Sequence, residues 1–352
     1  MREYSVDNLR CLVVLLLFPY HTFMIYNSFG ESFYIKGTNI TFTSNFIVAV
    51  WPWIMPLLFV VAGMSSAYAL RKRTPLEYLK ERVMKLFIPL ISGILLIMPL
   101  MTYFAERFHN GYTGGYIEQY VLFFTKPTDL SGYHGGFTPG HFWFILYLFV
   151  ISLVALPVMK TYQKSKRKIP IGLINLPLLL AFFVIPLACQ IILNISGKSV
   201  GKYFAFFLLG YFILSDERIL EKLDRYRFLL TGMFILGMAI NLVLFNTELN
   251  INAILYEAII ELYAWVGILA LLGMSKHYLN IITAAYFSKS SFSVYIFHQP
   301  WIIIIAFYVF QFTQNTVLQM ALILAGSIPL TFLSYELCKR IGILRFIFGL
   351  KK

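Results

Sequence analysis

Long apolar runs alternate along this chain with short polar breaks. Ten such runs cover roughly 9–27, 45–70, 86–105, 141–159, 170–194, 200–215, 228–246, 252–274, 287–310 and 317–338. A bilayer core takes about 20 apolar residues per helix, so each run is a predicted transmembrane helix. The chain therefore reads as an all-α polytopic membrane bundle of about ten helices, with 1–352 forming a single integral-membrane domain. Pro19, Pro56, Pro99, Pro186, Pro300 and Pro329 fall inside these runs. Proline is tolerated in membrane helices where neighbours satisfy the freed carbonyl.

Composition agrees. Hydrophobic residues make up 59% and charged residues 13%, with a mean hydropathy of +0.74; soluble domains carry about 25% charged residues. The net charge of +13 is topological in origin. Of 29 Lys and Arg, only Lys36, Arg107, Lys126, Lys198 and Lys202 fall on one side of the ten-span count, and the other 24 fall on the opposite side. Positively charged loops stay cytoplasmic, so both termini are predicted to be cytoplasmic and no nucleic-acid partner is expected. The three cysteines, Cys11, Cys189 and Cys338, lie in apolar runs and read as buried thiols. Glu3 and Asp7 argue against a cleavable signal at the N-terminus.

Two polar segments stand apart. Residues 71–86 (RKRTPLEYLKERVMKL) form a basic amphipathic stretch on the predicted cytosolic side. Residues 106–140 read as one long outer loop rich in Gly, Tyr and Phe. Its rings suit stacking on sugar faces, and also suit a membrane interface.

The first run carries Arg10 near one end and His21 in its interior, eleven residues apart. On a continuous helix that is three turns plus about 20°, so both share one face roughly 16 Å apart. Asp7 falls on the same face and is placed to orient Arg10. Ionisable groups on one stripe of a membrane helix point to function. The separation suits a donor held by phosphates at Arg10 that presents a thioester at His21, as the extended pantetheine arm of coenzyme A would. Histidine is the natural base for removing a proton from an attacking hydroxyl, and a transient acyl carrier is the alternative role for His21. Arg82 and Lys85 are further candidate phosphate ligands.

Other candidates lie downstream. Tyr295 and His298 are three residues apart, with Ser291 a turn below, and could position an acceptor or tie helices together. His141 opens the fourth run beside Trp143. Glu257 and Glu261 sit inside the eighth run, roughly 7 and 13 Å from its outer end at 1.5 Å per residue. Carboxylates at that depth face a water-filled cavity or pair with a cation. They are read as acceptor-binding together with His141 and Trp143.

Several segments carry a resemblance. REYSVDNLRCLVVLLLFPYHTFMIYN resembles the opening of the acyltransferase family 3 membrane proteins, whose signature is Arg or Lys, ten residues, then His. GMSSAYALRKRTPLEYLKERVMKLFIPLI (63–91) resembles the family's second span and the basic helix after it. GHFWFILYL (140–148) resembles its His-x-Trp-Phe motif, and SFSVYIFHQPW (291–301) its Tyr-x-x-His-x-Pro motif. The tail SYELCKRIGILRFIFGLKK (334–352) is most similar to the glucan-biosynthesis branch. The usual Arg-x-x-Arg reads Arg82-Val-Met-Lys85 here, so the second cation lacks the bidentate fork. The Glu-Arg-Pro ending of many family O-acetyltransferases and an appended Gly-Asp-Ser hydrolase-like domain are both missing. The membrane part is then expected to deliver the acyl group itself or hand it to another protein.

The resemblance implies an O-acyltransferase of the bacterial inner (plasma) membrane. It would move an acetyl or succinyl group from cytosolic acyl-CoA to a hydroxyl of an outer glucan, polysaccharide or glycolipid. His21, Arg10, His298 and Tyr295 are the catalytic candidates, and Arg10, Arg82 and Lys85 the donor-binding ones. Acetyl-CoA or succinyl-CoA is a co-substrate; no tightly bound cofactor and no metal site are expected. Expected partners are the acyl-CoA, the carbohydrate acceptor, the lipid bilayer, and glycan-synthesis or export proteins. The rival reading is a transporter or exporter of a glycan or small solute without acyl chemistry.

Overall fold

The structure, a computed structural model, describes residues 4–29, 33–247, 249, 251–281 and 285–350. Arg2, Lys351 and Lys352, which enter the charge count, lie outside the described residues.

Helix α1 (Tyr4–Met24) runs through Pro19 without a break. Next come α2 (Thr41–Leu70) and the basic helix α3 (Pro75–Arg82). A π-helical turn, Val83–Phe87, carries Lys85 into α4 (Ile88–Leu96) and α5 (Met98–Asn110). Pro89 has no N–H to offer the Lys85 carbonyl one turn back, which accounts for the local widening. Then follow α6 (Tyr116–Thr125), α7 (Trp143–Lys164), α8 (Leu176–Ala181) and α9 (Val184–Cys189). A tight hairpin pairs Asn194–Ile195 with Lys198–Ser199. Its turn residues Ser196 and Gly197 both have positive φ, 48° and 75°, as a type I′ turn requires. The remaining helices are α10 (Val200–Leu209), α11 (Glu217–Arg225), α12 (Arg227–Asn246), α13 (Ala253–Tyr278), α14 (Ala285–Phe312), α15 (Thr316–Arg340) and α16 (Gly342–Ile347).

Helical segments lie at all ten predicted spans, and seven helices among the described residues are long and apolar enough to cross a membrane. Three depart from a full-length apolar span. Helix α1 has 21 residues but is not among those seven. The fifth and sixth spans are the shorter apolar segments Leu176–Cys189 and Val200–Leu214. The fifth is broken at Phe182 and Phe183, whose N–H groups turn back to the carbonyls of Leu179 and Leu180 at 3.4 Å. Pro186 sits one turn later and has no N–H for the carbonyl of Phe182, which accepts from the Ile185 N–H at 3.1 Å instead. Residues 106–140 are also more ordered than a loop. Helix α5 extends to Asn110, and α6 follows, its start held by the Gly115 N–H donating to the Glu118 carboxylate at 3.1 Å.

Two compact units interleave along the chain. The first comprises Met1–Val13, Val48–Arg82 and Tyr147–Ser288; the second comprises Val14–Ile47, Val83–Leu146 and Lys289–Lys352. Within the first, Trp265, Phe206, Phe207, Phe59 and Tyr78 are fully buried. Two glycines set its closest approach. A Cβ on Gly63 would collide with the carbonyl oxygen of Phe207, and one on Gly210 with the carbonyl oxygen of Val60. Each helix thus rests its bare backbone on the other, as small residues permit in membrane packing. The Asn241 amide donates to the Val48 carbonyl at 2.8 Å and the Trp265 indole to the Leu179 carbonyl at 2.8 Å. Outside the spans, Asp216 caps α11 and takes a bidentate pair from Arg218 at 2.9 Å. That hydrogen bonding holds its carboxyl below the usual carboxylate range.

In the second unit, Phe142 packs its ring where a Cβ on Gly93 would be. Tyr26 donates to the Gln319 side chain at 3.2 Å, and the Trp301 indole to Ser334 at 2.8 Å.

Candidate active site

Three imidazoles converge in the second unit. His21 lies in the last turn of α1, and its ring centroid is 5.1 Å from that of His298 on α14. His141, in the short 3₁₀ turn Gly140–Phe142 that precedes α7, lies 5.7 Å from His298. Phe18, one turn before His21, sets its edge against His298 at 5.9 Å, and Phe33 stacks on His21 at 6.1 Å.

The backbone fixes which nitrogen carries the proton on two of the rings. His298 Nδ1 faces the carbonyls of Val294 at 3.0 Å and Tyr295 at 2.8 Å. Carbonyls only accept, so Nδ1 is the donor and the lone pair of the neutral ring sits on Nε2. His141 Nε2 faces the Ile296 carbonyl at 3.0 Å, which leaves its lone pair on Nδ1. Both free nitrogens, and Nδ1 of His21, are buried without a hydrogen-bond partner among the described residues. Buried polar atoms are nearly always satisfied, so three such nitrogens in one cluster set it apart from ordinary core packing. His298 and His141 are sealed, 0% and 6% exposed. His21 keeps a partly exposed edge although its Nδ1 is enclosed, so it is the ring a substrate can reach. No group of His, Cys, Asp and Glu among the described residues has metal-binding geometry.

Tyr295 has a different task. Its hydroxyl donates to the backbone carbonyl of His141. Gly140 completes the arrangement with φ +47°, where a Cβ would overlap Met98. Tyr295 and Gly140 together hold the 3₁₀ turn that delivers His141. Trp143 follows, half-buried, in the first turn of α7.

The predicted donor-binding arginines lie in the first unit. Arg10 pairs with Asp7 at 3.2 Å along α1, the pairing expected from their spacing. Arg82 donates to Ser66 at 3.0 Å and lies over the Tyr78 ring at 4.5 Å. Ser66 and Tyr78 share a further hydrogen bond of 3.0 Å. Nε of both Arg10 and Arg82 is a buried donor with no partner among the described residues. Lys85, half-buried, belongs to the second unit through the π-turn.

Glu257 and Glu261 separate in character. Glu257 is exposed in the early turns of α13. Glu261 is 1% exposed, and its Oε2 forms an ion pair with Lys202. Its Oε1 is buried without a partner among the described residues. Lys202, at the outer start of the sixth predicted span, lies in the first turn of α10. Breaking a buried pair from the cation side strands a charge. Lys202→Met is therefore expected to cost roughly 3–5 kcal/mol, and adding Glu261→Gln to recover most of it. Melting curves of the purified variants decide this; a single mutant that melts with the wild type would sink the pairing.

The sequence model of the acyltransferase domain family matches residues 3–336. The chain belongs to this family. Similar relatives carry the name glucans biosynthesis protein C. That of Salmonella paratyphi B (strain ATCC BAA-1250 / SPB7) is 25% identical over 382 residues, covering 99% of this chain and 94% of the relative. That of Salmonella heidelberg (strain SL476) is 25% identical over 380 residues, with the same coverage. No solved structure matches the chain.

The protein is thus an integral-membrane acyltransferase. Sequence reasoning missed one buried carboxylate in this acyltransferase. Glu106 near the end of α5 is 7% exposed, bonded to Lys126 at 2.7 Å and to the Asn110 amide at 2.9 Å. Asn110 four residues on was a legible signal; Lys126, across α6, was not.

Proposed function

We propose that the protein transfers an acetyl or succinyl group from cytosolic acyl-CoA to a hydroxyl of a glucan-type carbohydrate outside a bacterial inner membrane. Family membership supports acyl transfer, and the name of the relatives supports a glucan acceptor. The observation that carries the reading is α1 itself. One unbroken helix bears the Asp7–Arg10 pair and, eleven residues on, a reachable histidine whose ring meets another buried imidazole. Arg10, with Arg82 of the same unit, is assigned the donor phosphates. The rise of α1 sets the thioester at His21, roughly 16 Å away.

His21 accepts the proton of the acceptor hydroxyl as its oxygen attacks the thioester carbonyl. The carbon–sulfur bond then breaks, and the imidazolium returns the proton to the leaving thiolate. Acyl-CoA and alcohol become ester and free CoA, with no external acid or base. His298 and His141, their outer nitrogens anchored to carbonyls, hold the surroundings of His21 fixed during that exchange. Glu261, closed in its pair with Lys202, is structural in this reading, and Trp143, half-buried two residues after His141, is the acceptor-side candidate nearest the cluster in sequence.

Supplying labelled acyl-CoA and a glucan to the purified protein tests this. Free CoA and acylated glucan are expected to appear in equal amounts. A transporter without acyl chemistry would release no CoA, and that outcome would overturn the reading.

A further inference from the structure

An aromatic row runs along α5 and α6 of the second unit. It begins at Tyr112, passes to Tyr103 on α5 at 6.3 Å between ring centroids, and reaches Tyr116 at 5.7 Å. From there it follows α6 to Tyr120 at 6.3 Å and Phe124 at 5.5 Å. The last three are four residues apart, a rise of about 6 Å per step on one helical edge. None of the five rings is buried.

The inward face of α6 is occupied by other residues. Gln119 and Phe123 are fully buried, Gln119 donating to the Gly135 carbonyl at 2.9 Å and Phe123 meeting Phe137 at 5.4 Å. These contacts fix the helix and leave the row outward. A second exposed edge, Ile117 and Val121, lies about 100° round the helix and is the aliphatic edge suited to lipid. The row differs from that edge in its polar tips. The hydroxyls of Tyr116 and Tyr120 make no hydrogen bond to a described residue. At the other end the rings are braced: Arg107 donates to the Tyr103 hydroxyl at 3.2 Å, and Tyr112 donates to Glu118 at 3.3 Å.

We infer that this row is a binding platform for sugar rings of the acceptor other than the one being acylated. The half-open rings offer each pyranose an apolar face, and the free hydroxyls of Tyr116 and Tyr120 add a hydrogen bond at the centre of the row. The segment lies on the side that the charge distribution assigns to the exterior. The inference rests on the glucan acceptor proposed above, and it makes this membrane enzyme prefer chains over single sugars.

Calorimetry on the protein in lipid nanodiscs, with linear glucose oligosaccharides of two and ten units and no acyl donor, provides the test. The ten-unit chain is expected to bind roughly tenfold more tightly than the two-unit one, a modest gain for several stacked rings. Tyr116→Ala with Tyr120→Ala should erase that difference at an unchanged melting temperature. Tyr116→Phe with Tyr120→Phe should keep most of it, and Ile117→Ala with Val121→Ala all of it. If both lengths bind alike to the wild type, or the alanine pair keeps the preference, the platform is wrong. Acyl transfer measured on the same samples separates the two ideas: transfer without length preference overturns the platform alone, and length-dependent binding without transfer overturns the proposed chemistry alone.

Discussion

Replacing His21 by alanine should abolish acyl transfer while leaving the protein folded. Removal of a positioned general base typically costs 10²–10⁴-fold in rate, and the expected loss is about that size. His21 is the one ring of the cluster with an open edge, so no other imidazole can reach a substrate in its place. His298→Ala should act more weakly, by loosening the ring it faces at 5.1 Å. Arg10→Ala should behave differently again. It removes a donor anchor and leaves the base, so KM for acyl-CoA should rise while kcat changes little. Steady-state kinetics on purified variants, with protein amount and melting checked, separate the three. A His21→Ala enzyme that retains wild-type kcat would refute the assignment of the base, and an Arg10→Ala enzyme with unchanged donor KM would refute the anchor.

The second large effect is on stability. Gly63→Ala and Gly210→Ala each place a methyl group against a backbone carbonyl, Phe207 in one case and Val60 in the other. A flexible side chain could move aside, but two helical backbones must separate along their contact. Each substitution should cost about 3 kcal/mol, the upper end of ordinary overpacking. Because the two glycines lie in one contact, the double mutant should fall short of the sum. Gly232, on α12 with nothing near its missing Cβ, is the control and should accept alanine without loss. Size-exclusion of heated samples measures this. If Gly63→Ala survives heating as well as Gly232→Ala, the backbone contact is not a determinant of the fold.

Much of this was legible beforehand, for physical reasons that differ by residue. The stripe on α1 was readable because helical periodicity relates Asp7, Arg10 and His21 without any partner. Tyr295 and His298 were readable as one face of α14 for the same reason. Their convergence with His141 was not, because it depends on Gly140 adopting a positive φ and on Tyr295 reaching the carbonyl of His141. Lys202 sat at the start of the predicted sixth span, but nothing in the sequence paired it with Glu261, 59 residues on, because that contact depends on how α10 packs against α13. Unbroken apolarity hid the break between α8 and α9, since hydropathy does not register which carbonyl Pro186 excludes. Helix α6 was hidden by composition: its glycine neighbours read as loop, although the Tyr116, Tyr120 and Phe124 spacing was helical.

Proton balance also bears on the rival transport reading. The proposed step returns its proton to the leaving thiolate, so it needs no relay to either side of the membrane. A proton-driven transporter would need one, and would couple to pH differences across the bilayer rather than to CoA release.

The central claim is that α1 carries both the donor anchor and the base. A structure of the protein bound to a non-hydrolysable acyl-CoA analogue tests it most directly. The account predicts the analogue's phosphates on Arg10 and its carbonyl carbon beside His21, with the pantetheine arm extended along the helix between them. Phosphates bound away from Arg10, or a carbonyl that never approaches His21, would contradict it.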